Sequence, residues 1–207
     1  MAFTYFFRDY QTLELIVEKL IPLVTGCTKI KIWDAGCASG EEPFTLAIIL
    51  SEQMNPYAFR NVKILASDID NSNNFKRIIE EGIYPYEKLK RIPKRIFKKY
   101  FILYKENQNP NRRQYQLKRK ILSRVKFLKD DLLNYEQPDS EFRLILCKNV
   151  LFHQTYQQRI KIINMFYASL ADKGILAMEH TQKLPQENKK QFKKIYSNAQ
   201  IFQKEKQ

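Results

Sequence analysis

Short apolar runs alternate with helix-like periodicity along most of the chain. "TKIKIW" followed by "DAG" predicts a buried strand over residues 30–34 and then a turn. "EEPFTLAIILSEQM" repeats its apolar residues at helical spacing. Pro43 stands near its start, where a missing N–H costs little. "NVKILASDID" predicts a second strand, about 62–67, ending in acids. "NSNNFKRIIEEG" predicts a helix closed by Gly82. "RVKFLKDDLL" and "FRLILCKNV" read as strands three and four, and "GILAMEH" as strand five. "TYQQRIKIINMFYASLADKG" reads as an amphipathic helix ending at Gly174. "PQENKKQFKKIYS" and "AQIFQKEKQ" predict a final helix and an edge strand, with a hairpin as the alternative. Strands alternating with helices at this spacing imply an α/β fold, a doubly wound and mostly parallel sheet with an antiparallel C-terminal strand. Ligands of such sheets bind beyond the C-terminal strand ends, where the strand order reverses beside strand one.

Length changes this picture little: 207 residues suit one domain, 1–207, with a small insertion. Charge changes it more. The formal net charge is +14, and between Tyr84 and Lys129 sixteen Lys and Arg face only Glu87 and Glu106. That segment therefore carries the whole imbalance, and a basic insertion is expected at about 84–123. It is either a solvated lysine-rich face or a docking surface for an acidic partner or a phosphate backbone. No apolar run is long enough to span a membrane, so no membrane insertion is expected. Arg8 and Asp9 come too early for a secretory signal. Cys27, Cys37 and Cys147 are odd in number and lack metal spacing. They read as reduced thiols of a cytoplasmic protein, with no metal expected.

The candidate chemistry gathers in "IWDAGCASGEEPFTLAIIL", residues 32–50. Gly36 and Gly40 lie on the bend from the first strand into the helix, where glycine permits positive φ and close approach of a ligand. The dinucleotide pattern G-x-G-x-x-G is absent, so a pyrophosphate is not favoured. Glu41 and Glu42 would repel phosphate and suit a cation, although glutamates in a first helical turn also complement the macrodipole. Asp68 ends the second strand, where an acid typically takes ribose hydroxyls. It could instead cap the next helix, a task better suited to Asp70. A glycine bend without a phosphate pattern, a ribose acid and carboxylates near a positive centre together suggest S-adenosylmethionine, a nucleoside with a cationic sulfonium and no phosphate.

Six blocks then fall in order: "TYFFRD" (4–9), "IWDAGCASGEEPFTLAI" (32–48), "ILASDID" (64–70), "GIYPYEKL" (82–89), "VKFLKDDLL" (125–133) and "LILCKNVLF" (144–152). Together they resemble the chemotaxis receptor methyltransferases (CheR type) over nearly the whole chain from Thr4. The resemblance implies a class I, Rossmann-like methyltransferase fold, S-adenosylmethionine as donor with S-adenosylhomocysteine as product, and a receptor glutamate as acceptor. Carried over by position, it places Thr4 and Arg8 at the methionine end and the acceptor carboxylate. Ala35, Gly36 and Glu42 line the methionine moiety, and Asp68 holds the ribose. Asp131 and Leu132 lie near adenine, and Asn149 and Val150 beside the reacting centre.

Four departures touch the acceptor side. The family's helical N-terminal domain does not precede "TYFFRD" here. Lys148 stands where the family has arginine and cannot make a planar two-pronged carboxylate contact. His153 stands in place of a tyrosine, as a polar contact or an idle histidine at a helix start. "EHTQ" (179–182) replaces "GHSE", leaving His180, which reads as structural, and bringing in Gln182. Arg8, Lys148, Asn149 and His153 are the candidate catalytic residues. Transfer to an ionised glutamate needs no strong base, so alignment and desolvation are the chain's task. The basic insertion lies where the family carries a small β element that grasps a receptor tail, but "QNPNRRQYQLKRK" lacks the glycines of the tail-binding subgroup. The expected partner is an acidic protein, the cytoplasmic domain of a chemoreceptor, bound by a monomer, with nucleic acid disfavoured. The alternatives are a donor-binding scaffold without catalysis, or a methyltransferase acting on RNA or another acidic acceptor.

Overall fold

A computed structural model describes residues 4–206. Five parallel strands form the centre of the main sheet: β1 (Ile30–Ala35), β2 (Val62–Asp68), β6 (Val125–Lys129), β7 (Phe142–Cys147) and β8 (Leu170–Met178). Two antiparallel strands, β9 (Phe192–Lys194) and β10 (Ile201–Lys204), complete the order β6-β2-β1-β7-β8-β10-β9. Strand order reverses between β1 and β7, which both run parallel and in contact.

Both faces of the sheet are covered, and the alternation within β1 shows how. Ile30 and Ile32 point into one apolar cluster, with α1 (Tyr10–Val24) and α2 (Glu41–Gln53). Trp33 and Ala35 point into the other, against the Tyr156–Ser169 helix. Period-two side chains thus feed two cores from one strand. Trp33 is fully buried, meets Phe166 edge-on at 5.1 Å and donates from Nε1 to Ser67 Oγ at 2.8 Å. That bond removes the cost of burying the indole N–H. The α2 helix is buried nearly all round, as its unbroken "PFTLAIIL" demands.

The basic segment builds a second sheet in the order β3-β5-β4, from β3 (Ile83–Pro85), β4 (Phe101–Lys105) and β5 (Gln114–Leu117). The Lys94–Tyr100 helix and single-turn helices at Tyr86–Leu89 and Arg119–Leu122 flank it. Phe97 stacks on Phe101 and meets Tyr115 edge-on, so an aromatic cluster holds the cationic shell together. Tyr84, Tyr100 and Leu117 join the same apolar cluster as α1 and α2.

Two expectations fail near the C-terminus. The long helix stops at Ser169 rather than Gly174, because β8 already begins at Leu170. Gly174 lies inside that strand, where a Cβ would stand 2.9 Å from the carbonyl oxygens of both Ala171 and Phe142. The final helix is also absent: a 3-10 turn, Gln186–Gln191, leads into β9. Buried Asn188 donates to Asn164 Oδ1 at 2.8 Å and Gln191 Oε1 at 3.0 Å, and Phe192 enters the core beside Tyr167. The hairpin reading is the one realised. Among the described residues no helix is long and apolar enough to cross a membrane.

Candidate active site

The bend after β1 is closed on itself. Gly36 and Gly40 take φ of 100° and 92°, and Ala38 takes 47°. Gly36 N and Cys37 N donate to Ser67 O at 2.8 and 3.0 Å, and Gly40 N donates to Cys37 O at 3.0 Å. Ala38 N donates to Asp68 Oδ2 at 2.9 Å. Four amides of the bend are thus consumed by the protein, and the bend is no nest for phosphate. A Cβ on Gly36 would overlap Val150 Cγ2, so only glycine lets the loop after β7 close over it. Asp68 also accepts from Asp70 N at 3.1 Å through Oδ1. Each of its oxygens keeps a second lone pair for a ribose hydroxyl. Asp70 does the capping: its carboxylate accepts from Asn74 N and Phe75 N at the start of the Phe75–Glu81 helix.

A strap formed by residues 4–9 crosses the mouth. Phe7 N donates to Thr45 Oγ1 of α2 at 3.1 Å, and Arg8 Nη2 donates to Asn149 Oδ1 at 3.3 Å. Asp9 lies 3.0 Å from Lys148 Nζ, which also donates to Glu42 Oε2 at 2.9 Å. Burial alone would pull the Lys148 ammonium down, but Glu42 and Asp9 outweigh it and hold the group above the ordinary lysine range. Phe7, Asp9, Ala38 and Asn149 all adopt positive φ, at a cost of roughly 1–2 kcal/mol each. Backbone strain of this kind concentrates where packing forces it and function uses it.

Beneath the strap the cleft has two compartments that share Gly36, Asn149 and Val150 as a common wall. The smaller, about 70 Å³, is lined by Thr4, Arg8, Glu42 and Lys148. The larger, about 190 Å³, is lined by Asp68, Asp131, Leu132 and His153. Every candidate catalytic or donor-binding residue except Ala35 lines one of the two, whereas Gly40 and Glu41 of the bend do not. Ala35 is fully buried in the core beside Trp33, so its side chain does not line the cleft. Asp131 accepts from Leu133 N at 2.9 Å, which fixes the turn at the far end of the larger compartment. His153 packs its ring 3.8 Å from Phe152.

Three contributions escaped the sequence reading. Asp9 adjoins a noticed arginine, but its partner lies 139 positions along the chain and no spacing reveals it. Asp34 is fully buried and neither carboxylate oxygen has a hydrogen-bond partner. Burial, then the charges of Glu42 and Asp68, push its carboxyl up, against the opposing pull of Lys148. The third is a brace from the insertion. Tyr84 Oη donates to Ser39 O at 2.7 Å, and Lys88 pairs with buried Glu41 and with Ser39 Oγ. Glu41, at 0% exposure, therefore faces the insertion while Glu42 faces the cleft. Among the described residues no cluster of three metal-binding side chains occurs.

The cleft fits S-adenosylmethionine on its own terms. Glu42, Asp68 and Asp131 line the cleft against Arg8 and Lys148, a surplus of carboxylate suited to a cation. The bend offers glycine clearance, and four of its amides are already consumed by the protein. This arrangement on a sheet reversed at β1 and β7 defines a Rossmann-like, S-adenosylmethionine-binding methyltransferase domain. The family described as "CheR methyltransferase, SAM binding domain" matches residues 2–201, and the chain belongs to it.

A chemotaxis protein methyltransferase of Borreliella burgdorferi is 34% identical over 188 residues, covering 86% of this chain and 63% of the relative. Chemotaxis protein methyltransferase 2 of Vibrio cholerae is 29% identical, covering 87% of this chain and 62% of that protein. The chain thus spans less than two thirds of the length of these relatives. Among solved structures, the magnesium protoporphyrin IX methyltransferase of Synechocystis, with S-adenosylmethionine bound, is 14% identical with a TM-score of 0.47, over 93% of this chain and 77% of that one.

Proposed function

We propose that the protein transfers a methyl group from S-adenosylmethionine to a side-chain carboxylate, forming glutamate methyl esters on the cytoplasmic domain of a chemoreceptor. The observation that carries this reading is the contact of Arg8 with Asn149 at the cleft mouth, 3.3 Å apart, directly above the carboxylate floor. When bound, the donor supplies an electrophilic methyl on a cationic sulfur and leaves as neutral S-adenosylhomocysteine. Asp68 orients the ribose through its spare lone pairs, and Asp131 and Leu132 border the adenine. Glu42 supplies the negative charge at the methionine end, with Lys148 beside it and the buried Asp34 carboxyl behind it.

On the acceptor side, Arg8 holds one carboxylate oxygen of the incoming glutamate so that the other points down the displacement axis. The strap excludes water from that oxygen, which strengthens its attraction to the positive centre. Glutamate is ionised at neutral pH, so no side chain has to remove a proton. Lys148 is committed to Asp9 and Glu42, so Arg8 takes the anchoring role alone. A monomer acting in the cytoplasm is part of this reading.

Incubation with methyl-labelled donor and cell lysate, with and without RNase, tests it. Base-labile label on protein is expected. Label removed by RNase, or none despite tight binding of S-adenosylhomocysteine, would overturn it.

A further inference from the structure

Beside the donor cleft lies a groove of about 500 Å³ that no step above uses. Its walls come from the turn after β7 (Phe152), the first turn of the Tyr156–Ser169 helix (Tyr156, Arg159) and the segment after β8 (Lys183, Leu184, Lys189). Phe152 and Tyr156 are 56% and 42% exposed, large apolar surfaces left uncovered at the rim. Three cations line the groove, and no carboxylate does. Glu187, outside the lining, accepts from Tyr156 Oη at 2.7 Å. Arg159 Nε is buried without a hydrogen-bond partner, while the guanidinium lies 5.5 Å from the Tyr156 ring. A buried donor of this kind is costly unless something accepts from it.

The groove adjoins the donor cleft along the turn after β7: Phe152 belongs to the groove and His153, the next residue, to the wall of the larger compartment.

We infer that this groove docks an acidic segment of the methyl-accepting protein, its carboxylates on Arg159, Lys183 and Lys189 and its apolar side chains on Phe152 and Leu184. The inference deepens the proposed carboxyl methylation and rests on it. Charge decides the occupant. Beyond His153 the walls carry Asp68, Asp130 and Asp131. A nucleic acid brings a negative charge at every nucleotide and would be repelled there. A peptide can leave its carboxylates in the groove and present a single one at the mouth, on an otherwise neutral backbone. Rim cations of this kind steer and orient an acidic partner more than they hold it.

The probe is a labelled peptide bearing spaced glutamates among alanines and leucines, followed by fluorescence anisotropy on the full chain loaded with S-adenosylhomocysteine. Arg159→Glu with Lys189→Glu is expected to weaken peptide binding by about thirtyfold or more. Affinity for S-adenosylhomocysteine and the melting temperature should stay unchanged. Where that pair fails to fold, the exposed pair Lys183→Glu with Lys189→Glu is expected to lose about tenfold. A glutamine version of the peptide should bind as weakly as the variants allow. Unchanged peptide affinity overturns the inference, as does loss caused instead by Lys98→Glu with Lys105→Glu in the basic insertion. Tighter binding of an oligouridylate, lost in the same groove variant, overturns it in favour of RNA. The base-labile methyl assay separates the two layers. Transfer that continues with unaltered KM in the groove variant removes the groove alone, whereas no transfer by the native chain removes the reaction.

Discussion

The two halves of the cleft's rim carry opposite charge. Over β1, β2 and β6 stand Glu42, Asp68 and Asp131, with Arg8 of the strap among them; beyond β7 and β8 stand Arg159, Lys183 and Lys189. Lys148 marks the seam, at the end of β7 but bonded to carboxylates from α2 and the strap. A cationic donor is attracted to the first side, and in the proposed reaction an anionic acceptor is attracted to the second. The basic insertion, by contrast, holds most of the excess charge and meets the bend from behind through Tyr84 and Lys88, and the strap through Arg91, whose guanidinium lies 4.2 Å from the Tyr5 ring.

The harshest way to break the division is at its seam. Lys148→Met leaves Glu42 facing a neutral side chain in a site where the lysine is only 3% exposed, and is expected to cost about 3–5 kcal/mol in thermal unfolding. A loss below about 1 kcal/mol would make the contact no stronger than a surface pair. Next comes the donor side alone. Asp68→Ala removes the ribose acceptor and releases Ala38 N and Asp70 N. By calorimetry it should weaken S-adenosylhomocysteine binding about 100-fold, some 2.7 kcal/mol. Smaller still is the acceptor side: Arg8→Ala should cut turnover about tenfold to thirtyfold while donor affinity moves by less than about threefold. Equal losses in both would place Arg8 on the donor instead.

The smallest effect sharpens the floor's electrostatics. The Asp34 carboxyl is held above its ordinary value near ~4, so the native state keeps a proton that the unfolded chain releases. Stability therefore falls as pH rises from that value through the raised native one. Asp34→Asn removes the slope, and melting curves should show the variant gaining on the native protein as pH rises above the ordinary carboxylate range. A pH-independent difference would mean that Asp34 is ionised in the fold.

Much of this was legible in the chain. The parallel strands and the glycine bend follow from periodicity and from Gly36 and Gly40, since local patterning fixes them. Asp68 and Glu42 follow from their place on that pattern. The failures share a cause. Gly174 looks like a helix end in the sequence, because its crowding by Ala171 O and Phe142 O is a tertiary fact. "KKQFKKIYS" has helical periodicity, yet pairing with β10 and burial of Asn188 and Phe192 override it. Ala35 fits the block pattern, but the alternation of β1 turns its side chain into the core. The Asp9–Lys148 pair and the groove at Arg159 join segments remote in sequence, and no local signal encodes either.

The brace behind the bend has an engineering consequence. Trimming residues 84–123 to make a smaller catalyst would strip Lys88 from Glu41, a carboxylate with no solvent to fall back on, and Tyr84 from the carbonyl of Ser39. The pedestal under the nucleoside would loosen along with the appendage, so a minimal version of this fold has to keep both side chains even when the lysine-rich shell is discarded.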